Sequence, residues 1–401
     1  MSLPQALLKA IGRDQGPQLW FSAPFTPPAS GTVPVQSPSF ADLSRPASHV
    51  KIVVRYRATI GTAAYSSLNA EAPQNLLQSV YLFGKRARTN STTIYNGSGA
   101  TLFGLNSLFS DHGVAARQFI TNPGGSPFRT SRLSSPMGLS IGTGQGNFGG
   151  VGAWDIQSEY VIPFGPFGGS PKTDLLFSQR DADWNRTMQL NMTFGGNTGV
   201  AGGGTDNFGV KGATGTLAFT GFGGVGSPTV YVYLIPTLQD GNTADTKILN
   251  MYRSGVIQRA TQTPSASIAT TNVNALLALL QNYDTPSILT KAGVVTGLGD
   301  YSSLSDAILT KQYLTIGGKP ITQLNDQWSQ QGWYEDKASG QAPQGYNLIN
   351  FVGGGTKLHW GRILRAPAPG TQMNLSSDIS GAANQAAEIL QEQVLEEPVV
   401  A

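Results

Sequence analysis

The chain contains no cysteine. That absence excludes structural disulfides, thiolate nucleophiles and the Cys-based zinc sites. Charge is scarce as well. Asp, Glu, Lys and Arg make up 12% of the 401 residues, where a soluble domain carries about 25%. A surface with so few charges is stable mainly when it is covered, which points to an assembly. His49, His112 and His359 are widely separated, with no His-x-x-x-His pair, so a histidine metal site has no support. No apolar run approaches the roughly 18 residues of a membrane-spanning helix. The first residues, MSLPQALLKAIGRDQG, lack the apolar core and cleavage site of a secretory signal. Synthesis in a cytosol is therefore expected, and the Asn-x-Ser/Thr sequons at Asn90, Asn96, Asn185, Asn191 and Asn374 carry no expectation of glycans.

What the chain has in excess is glycine, 50 residues, and 24 prolines punctuate it further. Weak charge with frequent turn residues predicts many short strands. KIVVRYRATI alternates cleanly, with Ile52, Val54, Tyr56, Ala58 and Ile60 on one face and Lys51, Arg55, Arg57 and Thr59 on the other. LLQSVYLFG (76–84), AWDIQSEYVIPFG (153–165), RTMQLNMTFG (186–195), GTLAFTGF (215–222) and PTVYVYLIP (228–236) read as further strands. Residues 195–226 hold thirteen glycines and predict surface loop around a strand or two. After a polar hinge at 238–246, residues 247–260, the pair flanking Gly317-Gly318, and YNLINFVGGGTKLHWGRIL (346–364) are again strand-like.

Three segments read differently. Residues 2–12 predict a short amphipathic helix, with Leu3, Leu7, Leu8 and Ile11 on one face and Lys9 and Arg13 near its end. NALLALLQN (274–282) is locally helical, and residues 379–397 predict a final helix with Ala383, Ala386, Leu390 and Val394 aligned. Residues 14–48 read as an extended Pro/Ser-rich arm. Charge is asymmetric: nine Lys/Arg against three acids in residues 1–100, five acids and no Lys or Arg in 371–401. The organisation expected is a helical arm (1–20), a first β domain (21–240), a second (241–375) and an acidic helical tail (376–401).

Catalytic signatures fail on their surroundings. Gly138-Leu-Ser140-Ile-Gly142 fits a nucleophile elbow and Gly144-Gln-Gly146-Asn-Phe-Gly149 a dinucleotide loop. Both need a helix to follow. Each interior glycine costs a helix up to about 1 kcal/mol, and here glycines crowd the segment before an alternating strand begins. Asp181-Ala-Asp183 and Asp240–Asp245 lack EF-hand spacing. No catalytic residue, cofactor site or metal site is assigned, and the chain is not expected to be an enzyme. Lys51, Arg55, Arg57, Lys85, Arg86 and Arg88 could form a basic patch, but only Tyr56 accompanies them and no nucleic-acid module is present. Solvation, or pairing with acids, is the expectation for these charges.

SHVKIVVRYRATIGT followed by APQNLLQSVYLFG, then VYVYLIPTLQDGNTADTKILNMYRSG, and finally GYNLINFVGGGTKLHWGRILRAP resemble, in order, stretches of the double jelly-roll major capsid proteins of tectivirus-like, membrane-containing icosahedral bacteriophages. The resemblance spans roughly residues 20–375 and rests on no single diagnostic motif. It implies an all-β chain of two tandem eight-stranded antiparallel jelly rolls with short terminal helices, made in a host cytoplasm and located in the virion. It implies pseudo-hexagonal homotrimers that meet neighbouring capsomers and penton or minor capsid proteins around an inner lipid membrane, with no specific nucleic acid. Leu3, Leu7, Leu8, Lys9, Ile11 and Arg13 would then face inward toward that membrane. A trimeric virion spike or receptor-binding protein is the alternative reading.

Overall fold

The computed structural model describes residues 17–38, 47–85, 91–108, 117–121, 128–130, 148–163, 187–196, 205–212, 214–236, 248–253, 273–280, 287–295, 301–305, 308–324, 345–350, 371–380 and 385–396. In chain order the strands are β1 (Gln18–Pro24), β2 (Thr32–Gln36), β3 (Ala47–Gly61), β4 (Tyr65–Leu68), β5 (Leu77–Lys85) and β6 (Ser91–Gly97). Helix α1 (Gly99–Leu108) follows, then β7 (Arg117–Thr121), β8 (Phe128–Thr130), β9 (Gly152–Pro163), β10 (Thr187–Gly195), β11 (Thr205–Asp206), β12 (Gly209–Lys211), β13 (Thr216–Thr220) and β14 (Thr229–Pro236). The later part holds β15 (Ile248–Arg253), β16 (Val273–Leu280), β17 (Ser287–Val295), β18 (Tyr301–Leu304), β19 (Leu309–Ile316), β20 (Lys319–Leu324), β21 (Tyr346–Asn350), β22 (Met373–Ser380) and β23 (Gln385–Glu396).

The pairing repeats. Sheets β1-β14-β3-β9 and β2-β10-β5-β6 are built from strands up to residue 236. Taking those eight strands in chain order, one sheet runs first-eighth-third-sixth and the other second-seventh-fourth-fifth. Sheets β15-β23-β17-β21 and β16-β22-β19-β20 have the same two orders with strands from residue 248 onward. Every described pairing is antiparallel. This order, in which the first and last strands pair inside one sheet, is a jelly roll, and it occurs twice. β13 extends the β3 edge and β7-β8 extend the β9 edge.

The alternation read from sequence becomes the core of the first roll. Val50, Ile52, Val54, Tyr56, Ala58 and Ile60 of β3 face inward with Ile156, Tyr160 and Ile162 of β9, and meet Met188, Leu190, Met192 and Phe194 of β10 from the opposite sheet. The glycine-rich stretch carries β11, β12, β13 and a short 3-10 turn at Phe222–Gly224.

Three expectations are corrected. The extended arm contains two frame strands, β1 and β2, and β1 begins at Gln18. NALLALLQN lies on a strand, β16, paired along its whole length with β22. The acidic tail is not helical: β23 is the eighth strand of the second frame, hydrogen-bonded to β15 on one side and β17 on the other. Ala, Leu, Glu and Gln favour a helix by only a few tenths of a kcal/mol per residue, and two ladders of backbone hydrogen bonds override that preference. The residues placed in the N-terminal helix, Leu3, Leu7, Leu8, Lys9, Ile11 and Arg13, lie outside the described residues.

Helix α1, unforeseen in the sequence, occupies the connection between β6 and β7. Its Asn106 is fully buried and acts as a strand surrogate on β9: Asn106 Nδ2 donates to the Val161 carbonyl at 2.7 Å, and the Val161 N–H donates to Asn106 Oδ1 at 2.8 Å. β7 pairs with β9 only as far as Glu159, so the amide takes over where that ladder stops. Asn106→Leu should destabilise the fold by about 2–4 kcal/mol in chemical denaturation, because two buried backbone groups lose their partners; an unchanged midpoint would show that water reaches Val161.

Candidate functional site

In a molecule built from two similar rolls, the contact between them decides the shape, and here it is charged and buried. Glu71 comes from the loop after β4, Thr101 from α1, Lys291 from β17 and Glu388 from β23. Lys291 Nζ lies 2.6 Å from Glu71 Oε1, 2.9 Å from Glu388 Oε2 and 2.8 Å from Thr101 Oγ1. The ammonium has three protons and three acceptors. Its side chain is 1% exposed, and those of Glu71 and Glu388 are 5% and 4% exposed. Burial works against the charged lysine, yet the Glu388 and Glu71 carboxylates together outweigh it and hold the Lys291 pKa well above its usual value.

Local structure sets each group. Ser98 Oγ accepts from the Thr101 N–H at 3.0 Å as an N-terminal helix cap. The Thr101 hydroxyl is thereby held 3.4 Å from both Glu388 oxygens. β17 carries Lys291 as its one charged residue, between β21 and β23. Tyr301 places its ring 4.5 Å from the Lys291 ammonium. The Tyr95 and Tyr346 phenols are also buried here, and burial first of all raises both of their pKa values well above the usual range. Four residues further along β23, Glu392 Oε2 accepts from the Ser287 hydroxyl at 2.9 Å.

Apolar packing surrounds the charges. Leu289, Tyr346 and Leu390 belong to the same core cluster as the first roll's interior. Gly104 sits mid-helix, where glycine costs about 1 kcal/mol relative to alanine; a Cβ there would come within 2.8 Å of the Tyr346 ring. The Ala70 N–H donates to the Tyr301 carbonyl at 3.0 Å, adding a backbone link between the rolls.

The cationic face of β3 is engaged locally, two of its cations by carboxylates of β9 and the third by an aromatic ring. Arg57 donates to both Asp155 oxygens at 2.8 and 2.7 Å, Lys51 pairs with Glu159 at 2.8 Å, and the Arg55 guanidinium stacks 4.5 Å from the centre of the Phe222 ring. Partial burial would raise the Asp155 pKa, but Arg57 and the Gly223 N–H outweigh it and hold the carboxyl below its usual range. Among the described residues this face offers paired charges, not a phosphate-binding stripe. The side chains of Lys85, Arg86 and Arg88 lie outside the described residues, as do Ser140, Asp181, Asp183, the 240–245 loop, His112 and His359. Gly149 closes a turn that leads into strand β9, so no helix follows the glycine loop. Among the described residues no three His, Asp or Glu side chains converge as a metal site. No described helix is long and apolar enough to cross a membrane.

The seam was not read from the sequence, although a signal existed. Lys291 is the one charge in its strand SILTKAGVV, and a charge placed so is buried only when paired.

No protein-family model matches the chain, and no curated protein matches it by sequence. Solved structures do. The chain aligns with the crystal structure of the STIV MCP at a TM-score of 0.52 and 11% identity, covering 96% of this chain and 95% of that one. A second structure, from the atomic structure of Sulfolobus Turreted Icosahedral Virus, aligns at 0.51 and 10% identity, covering 96% and 89%. At these identities the likeness concerns the fold, a double jelly roll over nearly the full length.

Lys291→Met should cost about 3–5 kcal/mol in equilibrium denaturation, since it strands two buried carboxylates. Converting Glu71 and Glu388 to Leu in the same chain should restore most of that loss. Asp155→Asn should destabilise the protein by about 2 kcal/mol at neutral pH. Because the folded Asp155 pKa is depressed, its contribution is present above the unfolded value near 3.9 and fades as pH falls through the folded one. The gap between variant and wild type should therefore close below about pH 4; a constant gap across that range would contradict the assignment.

Proposed function

We propose that this chain is the major capsid protein of an icosahedral virus, a non-enzymatic shell component located in the virion. The observation that carries the reading is the pair of jelly rolls with identical strand order, aligned over 96% of the chain with a viral coat protein whose own length is 95% covered. Two rolls locked side by side make one third of a six-fold outline, so three copies tile a lattice as a hexamer would. We propose rolls spanning 18–236 and 248–396, assembled as pseudo-hexagonal homotrimers that meet neighbouring capsomers and penton or minor proteins. Low charge content supports the reading, because an obligate interface of this kind buries on the order of 2,000 Å² or more.

The finer reading is a tectivirus-like shell around an inner lipid membrane. Leu3, Leu7, Leu8 and Ile11 would anchor inward, and Lys9 and Arg13 would meet lipid head groups, each worth about 1 kcal/mol near an anionic surface.

Light scattering on the purified chain should give three times the chain mass, and electron microscopy a hexagonal outline. A monomer at all concentrations would sink the trimer, and an elongated particle would favour a virion appendage. Removing residues 2–13 should leave trimers intact while particle assembly drops; unaltered assembly would remove the anchoring role.

A further inference from the structure

Away from the seam, a second buried lysine has no hydrogen-bond acceptor. β11 and β12 form a tight hairpin against β4, with Lys211 opposite Tyr65. Lys211 is 3% exposed and Asp206 is fully buried. Lys211 Nζ lies 3.7 Å from Asp206 Oδ2, and no hydrogen bond reaches it.

The carboxyl, in contrast, is held on both oxygens. Asp206 Oδ1 accepts from the Phe208 N–H at 2.8 Å and the Gly209 N–H at 3.2 Å, and Oδ2 accepts from the Tyr65 hydroxyl. The turn that supplies those N–H groups is itself pinned. The Asn207 carbonyl accepts from Asn69 Nδ2 at 2.8 Å and from Asn75 Nδ2, and the Phe208 carbonyl accepts from the Asn69 N–H at 2.7 Å. Gly209 has a positive φ of 149°, and a Cβ there would lie 2.0 Å from the Ser67 carbonyl oxygen. The turn therefore cannot relax away from the carboxyl without unpicking β4.

Two backbone donors on one oxygen, a hydroxyl donor on the other and an unengaged amine beside them are the parts of an acyl-transfer centre. We propose that Lys211 and Asp206 condense to an intramolecular isopeptide bond. The proton that Lys211 must release has the Asp206 carboxyl beside it. The neutral amine then adds to Cγ of the carboxylic acid, and the two N–H groups hold the negative charge that develops on Oδ1. Oδ2 leaves as water, with Tyr65 donating the proton in transit and regaining one from the nitrogen. A C–N bond forms, a C–O bond breaks, and one water is lost; no oxidant, reductant or further reactant is needed. Burial, which raises the Asp206 pKa, favours the uncharged carboxyl that reacts. The same burial keeps water from reversing the step. With Nζ 3.7 Å from Oδ2, the amine lies beside the carboxyl group whose carbon it must attack.

Intact-mass spectrometry of the full folded chain under denaturing conditions tests this. The chain should weigh one water less than its sequence. Trypsin should fail to cut after Lys211, and fragmentation should place the deficit on a link between Asp206 and Lys211. Lys211→Arg and Asp206→Ala should both restore the full mass. Tyr65→Phe should slow bond formation by about 10²-fold or more, while near-ultraviolet circular dichroism still reports a folded chain. A folded wild-type chain of full sequence mass, cleaved normally after Lys211, overturns the proposal. So does a water deficit that maps to any other pair.

Discussion

A single buried ammonium ties the two halves of this molecule together. Lys291 meets carboxylates from both rolls, and an unpaired charge at that depth would be costly enough to forbid alternatives. The apolar contact around it, with Leu289, Tyr346 and Leu390 joined to the first roll's core, supplies attraction without direction. The ion network supplies direction, because its geometry is satisfied at one mutual placement of the rolls.

Everything else at the seam follows from giving that network a dry, rigid setting. Helix α1 brings Thr101 to the ammonium, Gly104 to the Tyr346 ring and Asn106 to the buried backbone of β9 at Val161. One short helix thus caps a sheet edge, closes the interior and reaches the second roll. The loop before β5 does the complementary work with Glu71 and the Ala70 backbone.

The outer face of β3 follows the same economy of charge. Its cations are spent on Asp155, Glu159 and the Phe222 ring. With so few charges in the chain, most of those described are committed to partners inside the subunit.

Period-two alternation in residues 50–60, 154–162 and 188–194 was enough to establish the strands and their inward faces, because one buried face of a sheet leaves that imprint directly in the sequence. The absence of cysteine likewise excluded disulfides and thiolate chemistry, and crowded glycine removed the helix that both catalytic motifs need. Only the tertiary structure decided that residues 273–280 and 385–396 are strands. Their Ala-, Leu- and Glu-rich composition favours a helix locally, and the preference yields to partners far away in the chain. The same holds for Glu71, Lys291 and Glu388: up to 317 positions separate them in the chain (388 − 71), and no local pattern can specify a pairing that exists only once two rolls have closed against each other.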